Sequence, residues 1–299
     1  MQFDPHFVNG LVTSLNQNSL AEQTLTTELS SGLAVSSLSD NPVAAGEASL
    51  LQSAVSQDDT FVLTASSTES MMQVTDSTLG AVVTQLTTAI SKAVQGNSGT
   101  NNAANLSSLS GELATIRDQV VALANTNYQG TYLFSGSMGN VTPFTTNTTT
   151  TPQTVTYNGD SAANSITTVN GQTIQTGLSG SAVFTATGAN VMTALNNLIA
   201  DFSGGTVSAT AATDISALTT GLANVSTQRL SLDSSLNRLQ TAGTYAQTDS
   251  TNRTAAISAL VAANPTSIAT QLSAATTQNT ALMSVIATVE KQSLFDHIS

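Results

Sequence analysis

Two histidines, His6 and His297, stand one near each end of the 299-residue chain, each with a single carboxylate close by, Asp4 and Asp296. A zinc centre needs three or four His, Cys or carboxylate ligands, and neither end supplies that set. The chain has no cysteine, which removes thiolate metal sites, disulfides and a cysteine nucleophile together. The adjacent pair Asp58-Asp59 has the residue types for acid–base work, but neighbours in a helix point in different directions, so a solvated acidic face is expected. Asn158-Gly159-Asp160 resembles the start of a calcium loop, yet the alternating acidic ligands and closing glutamate that such a loop requires do not follow. A hairpin turn is expected there. No GxSxG, HExxH, phosphate-binding loop or dinucleotide-binding glycine motif in its proper setting occurs. No catalytic, cofactor-binding or metal-binding residue is assigned, and the chain is not expected to be an enzyme.

The composition narrows the partners. Only 8% of residues are charged, and surface polarity comes instead from 49 Thr and 39 Ser. The net charge of −12 repels a phosphate backbone or an anionic lipid surface, so neither nucleic acid nor membrane is an expected partner. No run of about 18 apolar residues suggests a membrane-spanning helix. The first residues lack the basic and apolar segments of a secretory signal, so any export is expected to proceed without a cleaved signal peptide.

Periodicity supplies the architecture. Ala44, Ala48, Leu51, Val55, Asp58, Val62, Ala65, Glu69, Met72, Asp76, Leu79, Val83, Leu86, Ile90 and Ala93 follow alternating steps of four and three, the spacing of a coiled-coil seam. A Gly- and Asn-rich break at 95–102 precedes a second seam at Leu106, Leu109, Leu113, Ile116, Val120 and Leu123. A third runs through Ile215, Leu218, Leu222, Val225, Arg229, Leu232, Leu236 and Leu239 to Ala246 and Leu260. Between them, residues 131–190 alternate β-branched residues with Gly and Asn. Thr154–Tyr157 and Ile166–Val169 read as short strands, with turns at Asn158-Gly159-Asp160 and Asn170-Gly171. The tract from Thr145 to Thr151 reads as strand or as disordered linker.

Each terminus adds a narrow stripe, Val8, Leu11, Leu15, Asn18, Glu22, Leu25 and Leu29 at one end and Ile268, Leu272, Ala275, Asn279, Leu282, Ile286 and Val289 at the other. Neither helix buries its stripe alone. A seam asparagine can set register, but in so polar a chain a solvated helix face is the expectation for Asn18 and Asn279. Asn264-Pro265 breaks the helix before the last stripe. The segment from Ser30 to Pro42 reads as a helix–helix connection, capped by Ser39 or Asp40 with Pro42 at the first helical position, and equally as a polymer contact.

The expected fold is therefore mainly α, an elongated antiparallel helical bundle or coiled coil built from both chain ends, with a small β-rich insertion. Its expected segments are 1–33 (N-terminal polymerisation helix), 34–130 (rod), 131–190 (outer insertion), 191–264 (rod) and 265–299 (C-terminal polymerisation helix).

Several motifs resemble one family. Ser30-Ser31-Gly32-Leu33-Ala34-Val35 followed by Leu38-Ser39-Asp40-Asn41-Pro42 is similar to a loop of the flagellins, with Leu38 and Asn41 where that family favours Pro and Asp. Leu123-Ala124-Asn125-Thr126, Gly130 and Tyr132-Leu133-Phe134-Ser135-Gly136 resemble a stretch of the flagellar hook-associated protein 3 family, the hook–filament junction branch. Tyr157-Asn158-Gly159-Asp160, Gly180-Ser181-Ala182-Val183-Phe184 and the closing Ser293-Leu294-Phe295-Asp296 are similar to further marks of that branch.

The resemblance implies an extracellular structural subunit of the bacterial flagellum, exported by a type III route and linking hook side to filament. Its implied partners are other copies of itself, a neighbouring hook-associated protein, flagellin and an export chaperone, with no cofactor. Val8, Leu11, Leu15, Asn18, Leu25, Leu29, Ile268, Leu272, Asn279, Leu282, Ile286, Val289, Leu294 and Phe295 are the expected assembly interface. Ser31, Gly32, Ser39, Asp40 and Pro42 mark the family loop. The alternatives are a filament flagellin and a type III secretion tip or coiled-coil surface protein.

Overall fold

The computed structural model describes the backbone of residues 5–150 and 152–298, and side chains from 7 to 288 except 8 and 151. The chain divides into two compact units, 1–57 with 248–299, and 58–247. Two long helices contribute to both: α2 (Pro42–Gly96) and α6 (Ala211–Val261). The insertion expected at 131–190 is part of the larger unit and shares its core.

In the larger unit, α2 and α6 run antiparallel, with Arg229 on Asp76 and Gly243 facing Ala65. Their heptads mesh. Asp58, Ala65, Met72, Leu79, Leu86 and Ala93 are buried at steps of seven on α2, as are Ala211, Leu218, Val225, Leu232, Leu239 and Ala246 on α6. The second row of the α2 seam departs from the sequence reading. Phe61, Thr75, Val82 and Ala89 are buried, whereas the expected Val62, Glu69, Asp76, Val83 and Ile90 are half-buried. The helix touches more than one neighbour, so its buried face is broader than a two-helix seam and extends to both sides of the central row.

Asp58 is also corrected, being 1% exposed. It occupies a central seam position, and that placement overrides the solvation expected of an acidic pair.

Helix α3 (Ala103–Ala124) packs antiparallel on α5 (Val191–Ser203), joined by a hydrogen bond from Ser110 Oγ to Ile199 O (2.8 Å). Asparagine caps start these helices: Asn102 accepts from Asn105 N and Asn190 from Thr193 N, the preferred chemistry for otherwise orphaned N–H groups.

The intervening β-rich segment is four separate antiparallel hairpins and one short helix. They are β1 (Asn127–Tyr128) with β2 (Thr131–Tyr132), β3 (Phe144–Asn147) with β4 (Thr154–Tyr157), β5 (Ser165–Thr167) with β6 (Thr173–Gln175), then α4 (Gly180–Phe184), and β7 (Thr185–Ala186) with β8 (Ala189–Asn190). The first turn places Gln129 and Gly130 at positive φ, as a two-residue hairpin turn requires.

The Asn170-Gly171 turn forms as expected. The other turn does not: β4 pairs backward with β3, Phe144 facing Tyr157, so the hairpin closes within the Thr tract. Asn158-Gly159-Asp160 is the exit from β4. There Asp160 accepts hydrogen bonds from Ser137 N (2.8 Å), Ser137 Oγ and Ala162 N (3.1 Å). The Ser137 hydroxyl, then its amide, hold this carboxyl below the usual carboxylate range.

The motifs of the 123–136, 157–160 and 180–184 stretches meet in one knot. Phe134, Phe144 and Phe184 are each at most 1% exposed. Phe184 stands edge-on to both others, with ring centroids at 5.2 and 5.4 Å, and Tyr157 lies 5.0 Å from Phe144. Edge-to-face aromatic pairs add to area burial. Tyr157 Oη donates to Asp160 O (2.7 Å), with Phe134 O at 3.0 Å. Asn125 clasps the Phe144 backbone through both amide atoms, each at 2.8 Å. A Cβ at Gly180 would stand 2.6 Å from the Tyr157 ring and 2.8 Å from Phe144, so only glycine lets α4 come so close.

A bidentate ion pair links the long helices within the larger unit. Arg229 Nε and Nη2 donate to Asp76 Oδ1 (2.6 Å) and Oδ2 (3.0 Å), a bidentate pairing. The hydrogen bonds from Arg229 hold Asp76 below its ordinary value of 3.8, while burial and the Asp76 charge raise Asp233 beside it. Because the folded-state pKa of Asp76 is depressed, its contribution is present above the unfolded value of 3.8 and is lost as pH falls through the lower folded value. Arg229 is 39% exposed, so Asp76→Ala is expected to cost about 1–2 kcal/mol, less than for a fully buried pair. In urea unfolding, the difference between wild type and variant should shrink below that window.

Candidate assembly interface

The smaller unit is built from α1 (Pro5–Ser31), α7 (Pro265–Ile298) and the flanking ends of α2 and α6. Its helices start from a stitched corner. Gly32, at φ +71°, accepts from Ala263 N (2.9 Å), Ala34 N donates to Val261 O (2.8 Å), and Leu33 forms an antiparallel bridge with Ala262. From that corner α1 and α7 run antiparallel and pack against each other.

Asn264 Oδ1 accepts from Thr266 N and Ser267 N and caps α7 ahead of Pro265. At α2 the expected cap is corrected. Asn41 Oδ1 accepts from Ala44 N (3.1 Å) ahead of Pro42, not Ser39 or Asp40. Asp40 turns back into the loop instead. Its Oδ2 accepts from Ser36 N (2.9 Å) and Ser37 N (2.8 Å), and both serine hydroxyls donate to the carboxylate as well. Those donors, the Ser36 amide first, bring Asp40 down to about 2. Ser39 Oγ meets Ser37 Oγ at 2.6 Å, and Ser31 Oγ accepts from Leu33 N at 3.2 Å. The family-loop residues thus organise one corner.

The interface residues read from the terminal stripes are largely turned toward each other within the chain. Ile268 and Ala275 are buried, and Leu11, Leu15, Leu25, Leu272, Leu282 and Ile286 are half-buried. Leu29 is 43% exposed. The side chains of Val8, Val289, Leu294 and Phe295, and those of the two histidines, lie outside the described residues.

Asn18 and Asn279 are corrected from solvated to half-buried. Asn18 Nδ2 donates to Ala275 O (2.7 Å), and Asn279 Nδ2 to Glu22 Oε2 (3.2 Å). A narrow two-helix seam leaves no room to turn these amides outward at seam positions, and a polar pair there fixes register. Glu22 Oε1 is buried without a partner.

Sequence reasoning missed the other face. Phe7, Val12, Leu20, Leu38, Val43, Leu50, Met283 and Val285 are between 41% and 78% exposed in this unit. Leu20, at 63%, and Leu50, at 75%, lie off the seam spacing, and apolar residues off the stripe were the available signal. Among the described residues, no group of three His, Cys, Asp or Glu side chains could hold a metal ion, and no helix is long and apolar enough to cross a membrane.

Comparisons with known proteins find likenesses over part of the chain. Residues 8–138 match the bacterial flagellin N-terminal helical region. Flagellar hook-associated protein 3 of Salmonella typhimurium is 35% identical over 129 residues, covering 42% of this chain and 41% of that protein. The match thus spans about two fifths of the relative's length. A solved structure of flagellar hook-associated protein 3 from Legionella pneumophila superposes with a TM-score of 0.63 at 13% identity, over 71% of this chain and 98% of that one. That of the flagellar junction protein FlgL from Legionella pneumophila gives 0.54 at 14%, over 64% and 99%. At those identities the two structures speak to the fold. The sequence matches make part of this chain similar to the bacterial flagellin N-terminal helical region and to flagellar hook-associated protein 3.

Proposed function

We propose that the chain is a structural subunit of the bacterial flagellum at the junction between hook side and filament, assembling through the unit that holds its two terminal helices. One observation carries the reading. In that unit, four apolar side chains are buried among the described residues (Ala44, Val55, Ile268 and Ala275), against ten large apolar side chains left exposed. A folded unit with so little interior and so much apolar surface is completed by neighbours. The seam residues hold α1 to α7, and the outward residues, Leu20, Leu38, Val43 and Leu50 among them, meet adjacent subunits. Those neighbours are further copies, another hook-associated protein on one side and flagellin on the other, reached after type III export with a chaperone. The role is geometric, and the subunit performs no catalysis.

A deletion strain tests this by electron microscopy and by tracking flagellin in the medium. Hooks without filaments, together with secreted flagellin monomers, are expected. Filaments that persist in altered number or form would make the chain one of several filament flagellins instead. Unchanged motility would return it to the coiled-coil surface proteins.

A further inference from the structure

A groove of 680 Å³ lies within the larger unit, between the β5–β6 hairpin and one face of α6. Its volume falls in the range of small-ligand clefts, about 300–1,000 Å³. The hairpin wall is fixed in place: Thr168 N donates to Gln172 O (2.8 Å), Gln172 N to Thr168 Oγ1 (3.0 Å) and Gly171 N to Thr168 O (2.9 Å). The opposite wall is helical, with Ser234, Asn237, Arg238, Thr241 and Tyr245 on successive turns.

Charge marks the groove. Among the described residues Lys92, Arg117, Arg229 and Arg253 each have a carboxylate within salt-bridge distance. Arg238 has none, and its guanidinium makes one long hydrogen bond, from Nη2 to Thr173 O at 3.4 Å. In a chain with 18 acidic residues against 6 basic, a cation left over beside a cleft is an unfilled carboxylate site, since a guanidinium fork suits two carboxylate oxygens.

Two further features choose among carboxylates. Tyr245 is 50% exposed at the groove, two turns from Arg238, and offers an apolar ring face with a polar tip. The side chains of Asn170, Gln172 and Ser234 line the groove without hydrogen bonds to other described residues. Amides and a hydroxyl supply donors and acceptors together, which suits a ligand dense in hydroxyls better than a peptide side chain.

We propose that this groove binds a short acidic oligosaccharide, its uronate carboxylate on Arg238, its sugar ring on Tyr245 and its hydroxyls on Asn170, Gln172 and Ser234. The chain's net charge of −12 favours a short ligand, because a long polyanion meets repulsion from the chain as a whole.

Calorimetric titration of the full chain with trigalacturonate tests this, with its methyl ester as the uncharged counterpart and tri-aspartate as the peptide counterpart. Saturable binding of trigalacturonate is expected, weakened at least tenfold for the ester, for tri-aspartate and for Arg238→Gln, and several-fold for Tyr245→Ala. Circular dichroism of both variants should match wild type, because both side chains are solvent-exposed. No binding of trigalacturonate, equal binding of the ester, or binding indifferent to Arg238→Gln would overturn the proposal. Tri-aspartate binding as tightly would make the occupant a peptide. Self-association by sedimentation that Arg238→Gln abolishes would make it a second copy. None of these outcomes depends on the junction role, which the deletion strain tests separately.

Discussion

Truncation of Phe184 to alanine is expected to destabilise the larger unit by about 3–5 kcal/mol, the range for removing a fully buried phenylalanine. The side chain is 0% exposed and sits edge-on to Phe134 and Phe144 at once, so its loss removes two aromatic contacts and leaves a void walled by rigid rings. Collapse into that void is hindered. Phe134 is held between the Tyr157 hydroxyl and Gly180 N, and the Phe144 backbone by Asn125. Phe184→Leu keeps most of the volume and is expected to cost under about 1.5–2 kcal/mol. Urea unfolding followed by near-ultraviolet circular dichroism reads both, since the aromatic signal reports this knot. A loss below about 1 kcal/mol for Phe184→Ala would mean that the knot is not packed as described.

Ile268→Asp is expected to abolish assembly while leaving the larger unit folded. Ile268 is 5% exposed in the α1–α7 seam. Losing its packing costs about 2–5 kcal/mol, and a carboxylate in its place adds a desolvation penalty of several kcal/mol. A unit with four buried apolar side chains among the described residues has no reserve to absorb that, so the two terminal helices part. Leu15→Asp, on the facing helix, is expected to do the same, and Ile268→Val, at about 0.5–1.5 kcal/mol, to assemble normally. Secretion and electron microscopy give the assembly readout. Limited proteolysis should remove the ends from both aspartate variants and spare residues 58–247. If circular dichroism instead showed the whole chain unfolding, the larger unit would not be independent of the terminal pair.

Much of this was legible from residue order. Heptad steps located α2, α3, α6 and α7, because burial on a helix repeats every 3.5 residues wherever a second helix lies alongside. Asn264-Pro265 and Asn170-Gly171 marked a helix break and a hairpin through local dihedral preference alone. The terminal stripes likewise marked apolar surfaces that neither helix buries alone. Such features are short-range, and sequence encodes them directly.

What tertiary structure decided was which partner each surface takes. The stripes of Leu11 to Leu25 and Ile268 to Ile286 are satisfied by each other, leaving Leu20 and Leu50 outward; no periodicity distinguishes an intrachain partner from a second copy. Phe61 rather than Val62 is buried because α2 meets several neighbours, a fact of packing and not of propensity. Asp160 became the anchor of Ser137, 23 residues away, because β4 turned back on β3. Asn18 and Asn279 became cross-helix donors because the seam closed around them. Arg238 is distinguished from the other described cations by having no described carboxylate within salt-bridge distance, and that neighbourhood exists only once the chain has folded.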